Sequence, residues 1–552
     1  TTQQNATATN PSSTTMTATL NSKESIDLEC DYLIVGAGAT TLAFLDTLVT
    51  ELPDAKIILI DKKAAPGGHW VDSYGYVQLH QPSIVYGIAS KQLEGNWLKC
   101  MLTQFMLPWN HRANKTVILT YFADFVKENQ EQVDFYPDSV YDFEQSDEDT
   151  HFFSSMDGSV SYKVKVNVKL IDGSSNENIV PHNSPLQFPV DDEVRVMTPN
   201  QVYDAHQENG NEMRQNKYVV LGAGKTGMDA VVYLQRTMKI DPVDIAWVIS
   251  QDVWMSSLNG GGSPKSHSIL LLKYDNDTQK AALEGEEQGS IVRLDQDIMP
   301  TVFKFPLVSN EELKLYRKVT TMIRRGRATA IRRRRSSNAN ATVPSKEDDR
   351  VVVEFGNGDN APWEAFAPID KCVFVHATSP GPFVNGMTAL QPDHQAQETS
   401  LGIFNSEKKM TLNLLFEPPI SISMSCLAKI EAHRNKGILD LECMKRLMLA
   451  REKGEEHPAR DRDHYTENEM LDAVLQPYEL FAARPMLNLA VLLSICNKDP
   501  LVSMKWMKQN RLAFLGSIPG FQCMVYKEIK KLLTKGSMDG KKVGLTEQDM
   551  RM

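Results

Sequence analysis

The chain has 552 residues, 41% of them hydrophobic, which is too long for one ordinary core and apolar enough to fill two or three. A formal net charge of −11 excludes a general nucleic-acid binder, which presents a basic surface to phosphates, and no run approaches the ~20 apolar residues of a spanning helix. Seven cysteines (Cys30, Cys100, Cys372, Cys426, Cys443, Cys496 and Cys523) form no C-x-x-C pair, so neither a disulfide framework, a metal site nor redox dithiol chemistry is expected; reduced thiols point to a cytoplasmic setting.

Residues 1–27 are rich in Thr, Ser, Asn and Ala and read as a disordered tail without the Arg-rich look of a transit peptide, a trimmed precursor being left open. Residues 31–35, Asp-Tyr-Leu-Ile-Val, form a short apolar run closed by Gly36 and predict a buried parallel strand. A helix follows, then a second strand over 57–60 ending at Asp61, the spacing of one βαβ unit. A helix is predicted over 121–128, antiparallel strands with one exposed face over 133–136 and 161–171, and loop over 174–189. At 217–221 the opening pattern returns: strand, glycine turn, helix to Met238, strand over 245–249. Strands over 351–355 and 371–375 are expected to return the chain to the first domain. Beyond Met424 the pattern turns helical, with segments over 426–433, 442–452, 470–481 and 486–495.

The first glycine turn is Gly36-Ala-Gly38-Ala-Thr-Thr41. Its first glycine permits the sharp turn, its second lets a pyrophosphate approach the backbone, and the helix N-terminus adds N–H donors. Thr41 stands where Gly or Ala is usual, which implies wider helix-to-strand packing. Asp61 can accept both ribose hydroxyls of an adenosine, and Gly67 and Gly68, followed by Trp70, let a bulky ring lie against backbone.

The second turn, Gly222-Ala-Gly224-Lys225-Thr226-Gly227, is a complete G-x-G-x-x-G. A P-loop would need glycine where Val219 stands. The strand that follows ends at Ser250 without an acid, which favours a phosphorylated ribose, NADPH over NADH, with Ser250 and Lys225 as 2′-phosphate partners.

Together, Gly36-x-Gly38, Asp61, Pro66-Gly-Gly-x-Trp70 and Gly222-x-Gly224-x-x-Gly227 resemble the flavoproteins with two dinucleotide-binding domains, which include the flavin-containing and Baeyer–Villiger monooxygenases. The resemblance spans roughly 31–426 and implies an α/β chain with two Rossmann-like domains, one for FAD and one for NAD(P), with antiparallel strand insertions and a C-terminal helical region. The corresponding division is a tail at 1–27, FAD-binding domain at 28–205 and 326–435, NAD(P)-binding domain at 206–325 and helical region at 436–552. It further implies FAD, NADPH, dioxygen and a small organic substrate oxygenated through a flavin C4a-(hydro)peroxide, with no nucleic-acid partner.

Two family features are missing. The F-x-G-x-x-x-H fingerprint before the second turn has only His206 as a counterpart, and no arginine follows the glycine pair between Trp70 and Ser83. Where flavin-containing monooxygenases place an asparagine, this chain has His80 and Gln81, which the resemblance makes the catalytic candidates: Gln81 for its amide, His80 as acid or base. Thr378 and Ser379 resemble a strand end beside the flavin, and Ser425 with Cys426 a helix start at its pyrimidine edge. The basic stretch from Arg324 to Arg335 reads as a solvated loop, and Trp247, Trp254 and Met255 as core before nicotinamide contacts. Two other readings stay open: a dehydrogenase or reductase that inserts no oxygen, and a non-catalytic nucleotide-binding interaction protein.

Overall fold

The computed structural model describes residues 25–83, 86–94, 111–174, 179–259, 270, 273–274, 277–302, 306–334, 350–356, 361–378, 408–412, 424–425, 428 and 431–432. No helix among them is long and apolar enough to cross a membrane.

The chain enters on β1 (Ser25–Val35), which starts three residues inside the expected tail. The turn leads to α1 (Ala39–Glu51), β2 (Ile57–Ile60), the short α2 (His69–Asp72) and α3 (Lys115–Glu128). Next come β3 (Val133–Tyr136), β4 (Ser139–Asp142), β5 (Thr150–Ser155) and β6 (Ser161–Asp172). These strands form one sheet in the order β3-β2-β1-β6-β5-β4. β3 pairs parallel with β2, not antiparallel as its alternating sequence suggests, because α3 is a crossover that returns the chain to the same sheet edge. β6 is parallel to β1 throughout, while its first half also pairs antiparallel with β5.

Adjacent residues of β1 feed two separate cores. Tyr32 and Ile34 pack with Leu42, Leu45, Trp70 and Phe122 beneath α1 and α3, whereas Leu33 and Val35 pack with Tyr141, Phe153 and Val164 under the β4–β5 hairpin. Burial on both faces is why the strand reads as an unbroken apolar run.

The second unit contains β7 (Val196–Met197), α4 (Pro199–Met213), β8 (Lys217–Leu221), α5 (Lys225–Arg236) and β9 (Ile245–Val248). A small sheet of β10 (Met255–Ser257), β11 (Ile291–Val292) and β12 (Leu307–Val308) follows, with α6 (Thr278–Glu287) and α7 (Asn310–Tyr316). Then come β13 (Thr321–Ile323), β14 (Ala328–Arg334), β15 (Arg350–Phe355), β16 (Trp363–Pro368) and β17 (Cys372–His376). The main sheet runs β13-β9-β8-β17-β7 and all its pairings are parallel. Tyr218 and Val220 face the core beneath α5; Val219 and Leu221 face the β14–β16 sheet, which covers the other side.

Two expectations are corrected. β17 does not return to the first domain: Cys372 to His376 pair with Lys217 to Leu221, so this strand completes the second sheet. The return comes later, at β18 (Lys409–Thr411), which pairs parallel with β6. The arginine stretch is not a solvated loop either. β14 pairs antiparallel with β15 and buries Ala330 and Ile331, and its cations are matched outward: Arg332 by Asp191 (3.1 Å), Arg333 by Glu193 (2.6 Å) and Arg334 by Glu364 (2.9 Å). The strand signal, β-branched Thr329 and Ile331 beside the small Ala328 and Ala330, sits just ahead of the charge run that hides it. Arg335 lies outside the described residues, as do most of the C-terminal segments; of these, Met424, Ser425, Ala428, Glu431 and Ala432 are helical. Met424 and Ala428 join the first core, and Glu431 is buried against Lys169 (2.6 Å).

Candidate functional site

The two glycine turns occupy equivalent places, each between a strand with parallel neighbours on both sides and the helix behind it. Gly36 has φ +90°, a region glycine enters without penalty, and its N–H donates to the Ile60 carbonyl at 2.8 Å. A Cβ there would meet the Gly173 carbonyl carbon at 3.2 Å. Gly67 N–H donates to the Ala37 carbonyl (2.8 Å), and a Cβ on Gly68 would stand 2.9 Å from Gly38 Cα, so the glycine pair lies backbone against backbone on the first turn. Trp70 is buried, its indole N–H donating to Tyr86 Oη at 2.7 Å.

Thr41 has a specific counterpart. It is buried, and a Cβ on Gly173, at the end of β6, would overlap Thr41 Oγ1 and come within 3.1 Å of the Val35 carbonyl. In the second turn the space goes the other way, since a Cβ on Gly227 would overlap the Gly222 carbonyl. The first turn thus keeps a threonine on the helix by having glycine on the neighbouring strand end. Gly173→Ala is expected to destabilise the chain by about 1–3 kcal/mol through overpacking, and Thr41→Ala to recover part of that; urea denaturation of the two single variants and the double variant measures the coupling.

Asp61 ends β2 and is buried. Its Oδ2 accepts from Ala37 N–H (2.5 Å) and its Oδ1 from Lys63 N–H (2.8 Å). Burial pushes its pKa up and these two donors pull it down, burial being the larger effect. The carboxylate therefore shapes the turn itself, and each oxygen keeps a further lone pair for a ribose.

Gly222 has φ +110°, and a Cβ there would stand 3.0 Å from both the Ala377 carbonyl and Thr378 Cγ2. Gly224 begins α5 and a Cβ on it would meet nothing within 4 Å. Helices α3, α4, α6 and α7 are capped by the side chains of Asn114, Thr198, Asp277 and Ser309. By contrast α1 and α5 start at Gly38 and Gly224 with neither a side-chain cap nor an acid in the first turn. Their first N–H groups have no such internal acceptor, the arrangement that suits a diphosphate.

Between the turns lies a set of charges that sequence reading missed. Lys225 pairs with Asp229 (2.5 Å) and Glu312 (3.3 Å); Arg112, from the first unit, also reaches Glu312 (3.1 Å), and Tyr74 Oη donates to Asp229 Oδ2 (2.7 Å). Burial would raise the Glu312 carboxyl, but Lys225, Arg112 and the Ser309 amide and hydroxyl hold it at about 2. The Lys225–Asp229 spacing of i,i+4 was the one visible signal, while Glu312 is 87 residues from Lys225. This corrects the pairing of Lys225 with Ser250: the ammonium is engaged at the domain interface, and Ser250 is exposed at the end of β9. Near Ser250, Arg324 grips Asp252 through two bonds of 2.8 and 3.2 Å.

His80 keeps a solvent-exposed edge next to this set. The protein around it, then Lys225 and Arg112, push its pKa down against Asp229, a push that solvent at the exposed ring screens; burial holds the half-buried His69 at about 4. Near pH 7 His69 is neutral, and the downward shift at His80 likewise favours its neutral form. A folded-state pKa below the unfolded value means the unfolded chain binds more protons as pH falls. His69 should therefore destabilise the fold progressively from about pH 6.5, the ordinary imidazole value, down to about 4; a thermal-melt series over that window, repeated with His69→Gln, measures it. Gln81 is half-buried and its amide makes no hydrogen bond among the described residues.

Thr378 follows β17, bonds His376 Nδ1 at 3.0 Å and lies against Gly222, so it flanks the second turn. Ser379 and Cys426 lie outside the described residues, and Ser425 is buried. Trp247, Trp254 and Met255 are all core, Trp247 donating to the Gly222 carbonyl at 2.8 Å. Cys30 and Cys372 are buried thiols pushed up to about 12, hence poor nucleophiles.

No family model matches the chain. Uncharacterized protein Rv2000 of Mycobacterium tuberculosis and uncharacterized protein Mb2023 of Mycobacterium bovis are each 31% identical over 322 residues, covering 55% of this chain and 56% of theirs. The chain thus spans about half the length of the curated relatives it matches. Solved structures to which it is similar include the open form of cyclohexanone monooxygenase, with 12% identity, 74% of this chain, 88% of that one and a TM-score of 0.45. A flavin-containing monooxygenase from Stenotrophomonas maltophilia gives 10% identity, 74% and 98% coverage and a TM-score of 0.41. Bacillithiol disulfide reductase from Bacillus cereus gives 11%, 74%, 99% and 0.41.

Proposed function

We propose that the chain is a flavin-dependent oxidoreductase that holds FAD at the first glycine turn and a nicotinamide dinucleotide, NADPH before NADH, at the second, and that it works as a monooxygenase on a small organic substrate. The observation that carries this reading is the pair of uncapped, glycine-opened helix starts, each following a strand with parallel neighbours on both sides, one in each main sheet of the same chain. FAD would be held by the amides after Gly36 and Gly38, by Asp61 at its ribose and by the backbone of Gly67 and Gly68; NADPH by Gly222, Gly224, Thr226 and Gly227, with Ser250 and Thr378 flanking. Bound flavin supplies two-electron chemistry and reaction with dioxygen. The chain's own contribution is positioning and dryness: Tyr74 and Tyr76 close the interface against Asp229 and Tyr233, and His80, neutral and beside the Lys225 ammonium, accepts a proton there with Gln81 offering an amide. A cytoplasmic location belongs to the same reading.

Purified protein should be yellow and release FAD on denaturation, and Gly36→Val should leave it colourless. A protein that releases no flavin and takes up none on dialysis against FAD would refute the assignment. A second reading, a reductase that inserts no oxygen, is favoured by His206, the nearest counterpart of the fingerprint histidine, whose Nδ1 is occupied by Tyr233 Oη at 2.8 Å. Turnover under ¹⁸O₂ separates the two, since only a monooxygenase places label in the product.

A further inference from the structure

At the domain interface the rings of Tyr74, Tyr76 and Tyr233 follow one another with centroids 4.5 Å and then 3.9 Å apart, the second pair stacked at 10°. We propose that this column is a hole-transfer path that carries oxidising equivalents away from a flavin bound between the domains and ends at the Tyr233–His206 pair. The inference rests on the flavin assignment above.

The hydroxyls distinguish a path from ordinary packing. A tyrosine gives up an electron readily only where its phenolic proton has somewhere to go, and the two ends of the column have bases: Tyr74 Oη donates to Asp229 (2.7 Å) and Tyr233 Oη is 2.8 Å from His206 Nδ1. Tyr76 in the middle has a buried hydroxyl with no partner among the described residues, so it can pass a hole through its ring but cannot trap one by releasing a proton to them. Burial and Arg214 lower the His206 pKa, which keeps the imidazole neutral and able to accept. His206 is half-exposed, so the end of the column meets solvent. In the step itself a photoexcited or oxygen-derived one-electron oxidant at the flavin takes an electron from Tyr74. That electron is replaced from Tyr233 through Tyr76, and the Tyr233 phenolic proton moves to His206 Nδ1. The products are a neutral tyrosyl radical, an imidazolium and a singly reduced oxidant, so charge and electrons balance.

The test uses the FAD-loaded full chain, illuminated with blue light without added oxidant and then frozen for electron paramagnetic resonance, with oxidised tyrosines located by peptide mass spectrometry. A long-lived tyrosyl signal at Tyr233 is expected. Tyr233→Phe, which keeps the stack, should lose it, and so should His206→Gln, whose amide accepts the hydrogen bond but not the proton; flavin content and circular dichroism should not change. A flavin-loaded protein with no radical at Tyr233, or with the same signal in both variants, overturns the inference while leaving the flavin assignment intact. Failure to bind flavin is seen before illumination and removes both.

Discussion

Gly227→Ala is expected to weaken the nicotinamide dinucleotide by at least about tenfold, ~1.4 kcal/mol, while FAD content stays at the parent level. The added methyl would overlap the Gly222 carbonyl, a backbone atom that the Trp247 indole also holds, so the conflict cannot be relieved by a side-chain rotation. Helix α5 must move off β8, and with it the N–H groups that face the phosphates. The first turn is built on a different sheet and should not notice. Titration of flavin reduction against NADPH concentration, alongside FAD content per chain, reads both halves; an unchanged NADPH dependence would show that the second turn is not where the dinucleotide binds.

The second large effect belongs to Glu312. Replacing it by Leu leaves the Arg112 guanidinium buried with no ion partner among the described residues and deprives Lys225 of one of two. Breaking a buried pair by removing one partner costs about 3–5 kcal/mol, and urea denaturation should show a loss of that order. Glu312→Gln keeps a side chain able to accept from the Ser309 amide and should lose less. The pH dependence has a definite sign. A carboxyl held at about 2 in the fold stabilises it fully above the ordinary glutamate value and loses that contribution as pH falls towards 2. A Glu312→Leu variant as stable as the parent would mean the network is incidental to how the two units meet.

What the sequence made legible is local. The strands flanking both glycine turns were readable because each is buried on both faces and so appears as an uninterrupted apolar run stopped by glycine. The roles of Gly36 and Gly222 were readable because a positive φ after a buried strand leaves few other residues available. What escaped depends on partners far along the chain. The room for Thr41 is made at Gly173, the charge of Lys225 is met at Glu312, and the sheet that β17 joins is decided by the exposed edge of β8 rather than by anything within Cys372–His376. His80 was readable as a candidate, but the downward push on its pKa comes first from the protein packed around it and then from Lys225 and Arg112, none of them its sequence neighbours. The arginines of β14 misled for the same reason, since charge composition does not reveal that Asp191, Glu193 and Glu364 wait opposite.

The most direct test of two dinucleotide sites meeting in one chain is the visible spectrum of the purified, FAD-replete protein during anaerobic addition of NADPH. The flavin absorbance should bleach in proportion to the nucleotide added and return when oxygen is admitted. A flavin band that NADPH and NADH both leave untouched would contradict the account.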